Sequence, residues 1–248
     1  MKRTIYFLIS AIVLVNASIL ISRAQPGIDV ETGLVLSGYN NVRIPGDGGT
    51  LFSMNGDLRA NEKVFYRLRV NYTIGERHDI SVLYAPLTVK SSGSKGNDIL
   101  FEGVVFPAGT QIDVEYKFNS YRLTYRYDFI KKDALEMGIG FTAKIRDAKI
   151  ALASGQAESV KTNVGFVPII NFRMLWNFKE HLGLLVYGDA LAAPQGRAED
   201  VLVALRYRVS DKLSFKGGYR ILEGGADNDE VYNFALFNYL LFGFSFSL

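Results

Sequence analysis

The sequence predicts an all-β chain closed into an antiparallel transmembrane barrel of ten strands, with short turns at one end and longer loops at the other. Three observations carry this. Segments alternating apolar and polar residues recur along the chain, separated by turns that alternate short and long. The chain ends on Leu241-Phe-Gly-Phe-Ser-Phe-Ser-Leu248, a strand with Phe242, Phe244, Phe246 and Leu248 on one face and Gly243, Ser245 and Ser247 on the other. Finally, after residue 24 no apolar run approaches the ~20 residues a spanning helix needs, so any crossing must be made by a closed barrel.

Residues 1–24 read as a cleaved leader. Met1-Lys2-Arg3 is basic, Ile5 to Val15 is apolar, and Ser22-Arg23-Ala24 places small residues where a signal peptidase reads. A retained single anchor is the rival reading. The chain has no cysteine to accept a lipid, to form a disulfide or to serve as a thiolate ligand. Cleavage after Ala24 removes Lys2, Arg3 and Arg23, leaving 25 basic residues against the 25 acidic ones, so the net charge of +3 implies no nucleic-acid partner. Residues 25–248 form one domain; 14 Tyr, 17 Phe and 24 Gly suit strands, girdles and turns.

The expected strands are 28–40, 64–74, 79–89, 112–130, 136–152, 162–178, 182–191, 201–209, 213–222 and 232–248. Tight turns fall at 75–78, 131–134, 179–181 and 210–212, and longer connections at 41–63, 90–111, 153–161, 192–200 and 223–231. Residues 51–58 and 99–106 extend neighbouring strands or make an extra hairpin, which leaves twelve strands as an alternative count and eight as a remoter one. The lipid-facing series runs through Tyr66/Leu68/Val70, Ile80/Val82, Tyr121/Leu123/Tyr125, Ile139/Phe141, Ile170/Phe172, Val203/Leu205 and Phe215/Tyr219. Aromatics near the short-turn ends (Tyr72, Tyr127, Phe129, Trp176, Phe178, Tyr207) form an interfacial girdle. A soluble sandwich also alternates, but its greasy face points inward and it needs no such belts.

This architecture, together with the ending Gly243-x-x-Phe246-x-Leu248, resembles small bacterial outer-membrane β-barrel proteins of the OmpA/OmpW-like kind. The resemblance implies export through the periplasm and contact with outer-membrane lipid and lipopolysaccharide. It also implies an assembly signal at Gly243, Phe246 and Leu248 read by the barrel-assembly machinery, where the usual last residue is Phe. It transfers no chemistry, because these families share a shape.

Opposite parity defines the lumen: Arg67, Arg69, Asn71, Arg122, Thr124, Arg126, Asp128, Lys144, Arg146, Asn171, Arg173, Asn177, Tyr187, Asp189, Arg206, Arg208, Lys216 and Arg220. A parity slip near Asn119-Ser120 suggests a bulge, above which Asp113, Glu115 and Lys117 also point inward; the interior is then basic by about twelve to four. An Arg–acid lattice is one reading. The surplus of positive charge favours water, bound anions or a plug, because unpaired buried guanidinium is costly.

Three functions follow: a structural or surface ligand- and lipid-binding barrel, a narrow anion-preferring channel, and a lipid-modifying enzyme. The small-molecule ligand is unspecified, and no cofactor motif appears. Asp227, Asp229 and Glu230 lack calcium-loop spacing and are only weak metal candidates. His78 and Ser81 sit three apart on a strand and so face opposite sides. An acidic site from Asp113, Asp189 and loop carboxylates has nothing to select it.

Overall fold

The computed structural model describes residues 25–248, Gln156 and Gln195 excepted. The expected leader lies outside the described residues. Fifteen strands follow one another: β1 (Gln25–Arg43), β2 (Phe52–Ser53), β3 (Arg59–Ala60), β4 (Lys63–Ile74), β5 (His78–Ala85), β6 (Thr88–Gly93), β7 (Ile99–Phe101), β8 (Val104–Phe106), β9 (Ile112–Lys132), β10 (Leu135–Ala153), β11 (Glu158–Asn177), β12 (Leu182–Ala193), β13 (Gly196–Arg208), β14 (Leu213–Asp227) and β15 (Tyr232–Ser247).

Ten staves make the wall. β5 and β6 are one stave, since both pair with β9 on either side of Pro86-Leu87. The remaining staves are β1, β4 and β9 to β15, each antiparallel to its neighbours. The wall closes where β15 meets β1, from Gly27↔Ser247 to Arg43↔Tyr232, and the Leu248 amide donates to the Pro26 carbonyl at 2.9 Å. Closure leaves the first and last strands no free edge, the condition for crossing lipid with strands. Gln25, Leu248 and the four short turns share one end, called the terminal end; the opposite end is the loop end.

The outer face carries the expected apolar series. Tyr66, Leu68, Val70, Ile80, Val82, Tyr121, Leu123, Phe141, Ile170, Val203, Leu205 and Tyr219 are exposed large hydrophobics, and Tyr127, Phe129, Trp176, Phe178 and Tyr207 fringe them toward the terminal end. This is the belt of a transmembrane barrel. It stops at a charged collar on the outside of β9 and β10, where Lys117 meets Asp147 at 2.8 Å and Lys149 meets Glu115 at 2.5 Å.

Two sequence expectations need correction here. The parity of β9 does not slip at Asn119-Ser120: its register with β10 runs unbroken from Gly138↔Asp128 to Ala153↔Asp113, and the bulge lies lower, opposite Met137/Gly138. Ile112, Val114 and Tyr116 point inward and are buried, while Asp113, Glu115 and Lys117 sit on the outer face. What inverts is the polarity. Within lipid the apolar face is outside; beyond the collar the outside is water and the inside is a packed core. The same inversion explains the second correction. The connections expected at 153–161, 192–200 and 223–231 are mostly ladder: β10 runs to Ala153 and β11 starts at Glu158, β12 runs to Ala193 and β13 starts at Gly196, and β14 runs to Asp227 with β15 from Tyr232. The greasy-out signal ends at the membrane, but the strands do not.

The two connections that remain long, 44–62 and 94–111, fold into the loop end. β7 and β8 form the extra hairpin, paired Ile99↔Phe106 to Phe101↔Val104. Ile99, Phe101 and Phe106 are fully buried with Phe52, Met54 and Val42. The rings of Phe52 and Phe101 meet edge to face at 6.5 Å. Backbone bonds from Thr50 to Leu100 (2.9 Å) and from Glu102 to Ile44 (3.1 Å) tie the two connections together, and Lys161 on β11 holds Glu102 at 3.0 Å. The apolar core continues down the lumen through Phe65 and Tyr239, whose rings cross at 4.8 Å. The barrel is plugged from the loop end by its own chain.

Candidate functional site

Below the plug the strands deliver charged side chains from all sides of the lumen onto one another. Asp200 of β13 is the hub. It accepts from Arg67 of β4 at 3.0 Å, forms an ion pair with Arg122 of β9 at 2.6 Å, and is bonded to Arg220 of β14. Arg220 also reaches Glu31 of β1 at 2.9 Å, and Glu31 takes Lys216 at 2.7 Å and Arg67 at 3.3 Å. Arg122 donates to Asp189 of β12 at 2.6 Å, and Asp189 is further held by Thr142 at 2.7 Å and Asn171 at 2.9 Å. Toward the terminal end, Lys216 meets Asp29 at 2.8 Å, and Arg126 meets Asp128 at 2.8 Å and Asp79 at 3.5 Å. The lattice thus cross-braces strands from around the barrel.

All six of the buried bases but only two of the five buried acids, Asp128 and Asp189, belong to the lumen set expected from parity. Among the described residues six basic side chains are buried (Arg67, Arg122, Arg126, Lys144, Lys216, Arg220) against five acidic ones (Glu31, Asp79, Asp128, Asp189, Asp200). The expected surplus of twelve to four is therefore absent where burial makes charge costly. Asp29 and Glu31 lie on the first expected strand, where Ile28 and Val30 set the parity; Asp79 opens the expected strand 79–89 on the face opposite Ile80 and Val82, and Asp200 falls in the expected loop 192–200. The other expected lumen residues lie nearer the ends. Arg69 bonds Ser81 at 3.0 Å and lies 4.7 Å over the Tyr187 ring. Arg173 pairs with Glu136 at 2.7 Å, Arg146 bonds Asn163 at 2.5 Å, and Arg208 donates to the Glu180 carbonyl at 2.7 Å. Arg206 lines the terminal-end opening.

Two cavities approach the lattice. One of about 450 Å³ opens at the terminal end, bounded by Arg126, Asp128, Tyr187 and Lys216. The other, of about 490 Å³, opens at the loop end above Lys144. Arg67, Arg122, Asp189, Asp200 and Arg220 line neither, and stand between them.

Gly243 has a structural task here. A Cβ on it would lie 2.4 Å from the Val30 carbonyl oxygen and 3.0 Å from Lys216 Cε. The missing side chain leaves room for the lysine to bridge Asp29 and Glu31. Gly243→Val is expected to cost about 1–3 kcal/mol by overpacking, read as a lower urea midpoint of the refolded barrel; an unchanged midpoint would refute this role.

No catalytic set assembles from the sequence candidates. His78 is exposed on the outer face and bonds the Tyr125 hydroxyl at 2.9 Å, whereas Ser81 is buried inside. His181 lies at the terminal end against the Arg208 carbonyl. Asp113 is exposed on the outside while Asp189 is buried in the lattice. Asp229 and Glu230 sit exposed in the β14–β15 turn just beyond Asp227, and no group of three or more His or carboxylate ligands converges among the described residues.

No protein-family model and no curated protein matches the chain. Similar solved structures include the outer membrane protease OmpT from Escherichia coli (12% identity, TM-score 0.49, 90% of this chain and 97% of that one). The attachment invasion locus protein Ail of Yersinia pestis is another (9% identity, TM-score 0.41, 90% and 99%). A third is Neisserial surface protein A (15% identity, TM-score 0.37, 89% and 97%). The barrel assignment rests on this chain's own strand pairing.

Proposed function

We propose that this protein is an exported, integral outer-membrane barrel with its terminal end in the periplasm, and that it works as a sealed binding barrel rather than a channel. The observation that carries this is the double closure of the lumen. An ion lattice with matched charges fills the middle, and an apolar plug covers it from the loop end. A permeant ion would have to displace several buried pairs in series, each held at both partners. The loop-end cavity is then the place where a small molecule or lipid meets the protein. The ending Gly243, Phe246 and Leu248 is read as the assembly signal in addition to the packing role of Gly243.

Planar-bilayer recording tests the choice. The purified barrel is expected to give no conductance steps in neutral salt; reproducible anion-selective steps would overturn the sealed reading in favour of the anion channel. For the third reading, a lipid-modifying enzyme, the chain provides no assembled catalytic group among the described residues. A shift in lipid A mass on adding the protein to outer-membrane lipid would revive it.

A further inference from the structure

The loop-end cavity has apolar walls, formed by Phe118, Ile150, Val167, Leu222 and Phe237, and a cationic floor. That floor is Lys144, only 3% exposed. Each of the other five buried bases holds at least one carboxylate. Lys144 has no ion pair or side-chain hydrogen bond among the described residues; its ammonium lies over the face of Phe118, at 4.8 Å from the ring centroid. One turn of parity higher, Arg146 gives one nitrogen to Asn163 while its Nε is buried without a partner. Of the wall carboxylates, Glu223 is already held by Arg197 at 2.8 Å and by Tyr39, and Glu230 is exposed at the rim. Two cationic side chains thus line the cavity, one of them, Lys144, with no acceptor supplied by the described residues, and a buried ammonium without a hydrogen-bonded partner favours any anion that can reach it.

The wall beside the cavity says what kind of anion can. β11 pairs with β10 along its whole length, to Ala153↔Glu158, but with β12 only as far as Ile170↔Ala190. From Ile169 to Glu158 that edge of β11 has no ladder partner among the described residues, and the cavity lies behind it, between Val167 and Asn163 on one side and Leu191 and Ala193 on the other. Outside the seam Val164, Phe166 and Ile170 are exposed and apolar. Phe166 is level with Ile145, one step below the charged collar at Asp147. The seam therefore opens where acyl chains meet headgroups. A cavity of about 490 Å³ is within the ordinary size of a small-molecule site, roughly 300–1,000 Å³.

We propose that the loop-end cavity binds a single-chain amphiphile from the outer leaflet, its anionic head on Lys144 and Arg146 and its acyl chain between Phe118, Val167 and Phe237. This rests on the sealed, binding reading of the barrel. The test uses the refolded protein in phosphatidylcholine nanodiscs with dansyl-undecanoic acid as the fluorescent probe. Saturable binding is expected, displaced by laurate and not by dodecanol at the same concentration. Lys144→Met is expected to weaken binding by at least about tenfold, the worth of one charge-assisted hydrogen bond, while Lys144→Arg keeps it within a few-fold. Equal displacement by dodecanol, or wild-type binding by Lys144→Met, would overturn the proposal. Should Lys144→Met fail to fold, the competition between laurate and dodecanol on the wild-type protein decides alone. A barrel that neither conducts nor binds laurate defeats only this inference; one that conducts defeats the sealed reading as well.

Discussion

Asp200→Ala is expected to lower the stability of the barrel by about 3–5 kcal/mol, because it strips a buried anion from three guanidinium groups at once. Arg67, Arg122 and Arg220 all converge on that carboxylate, and none of them can move to water, since each is buried below the plug. Arg122 retains Asp189, and Arg220 and Arg67 retain Glu31, so two carboxylates are left to balance three bases in the immediate cluster. Asp57→Ala in the loop-end connection is the control: its partner Lys95, at 2.7 Å, is part-exposed, and loss of such a pair costs at most about 1 kcal/mol. Urea unfolding in lipid vesicles, followed by the single Trp176 on the lipid face, measures both. An Asp200→Ala barrel as stable as the Asp57→Ala barrel would show that the lattice is not what braces the lumen.

The second large effect is local. Phe101→Ala is expected to cost about 3–5 kcal/mol at the plug, the usual range for emptying a buried aromatic site. Phe101 is fully buried against Phe52, and its carbonyl accepts from Ser159 of β11 at 3.3 Å. The β7–β8 hairpin pairs only with itself, and the wall closes without it. The loss should therefore undock the hairpin and leave the barrel standing. Limited proteolysis of vesicle-inserted protein separates the two cases. Cleavage within 94–111, with the remaining barrel still resistant to unfolding in cold detergent, is the expected pattern. A hairpin as protected as in the wild type, or collapse of the whole barrel, would contradict it.

How far each feature could be read depended on whether a single environment acted on it. The lipid belt was legible from Tyr66 to Tyr219 because hydrocarbon filters every second residue on every strand it touches. Arg67, Arg122, Arg126 and Arg220 were legible as lumen residues by the same filter read in reverse. Their partners were less so. Asp200 lies at a strand position next to turn-like residues, where local composition reads as loop; Asp79, Asp29 and Glu31 lie on expected strands, but parity alone does not name the bases they meet, Arg126 for Asp79 and Lys216 or Arg220 from the far end of the chain for Asp29 and Glu31. Beyond the collar the filter itself changes sign, which turned true register in β9 into an apparent slip.

The sequence by itself determined the class of fold, the alternation of short turns and longer connections between the two ends, and the polarity of the wall within lipid, and it put ten staves ahead of twelve or eight. All follow from an alternation that one solvent imposes locally, residue by residue. Only the tertiary structure decided that the lumen is nearly matched in charge, that 44–62 and 94–111 fold inward as a plug, and that Lys144 alone among the buried bases of the described residues has no carboxylate in an ion pair. Those properties are sums over contacts between strands far apart in sequence, such as Glu31 with Arg220 or Arg122 with Asp189. Closure of the barrel brings such groups together, and no local pattern records which of them will meet.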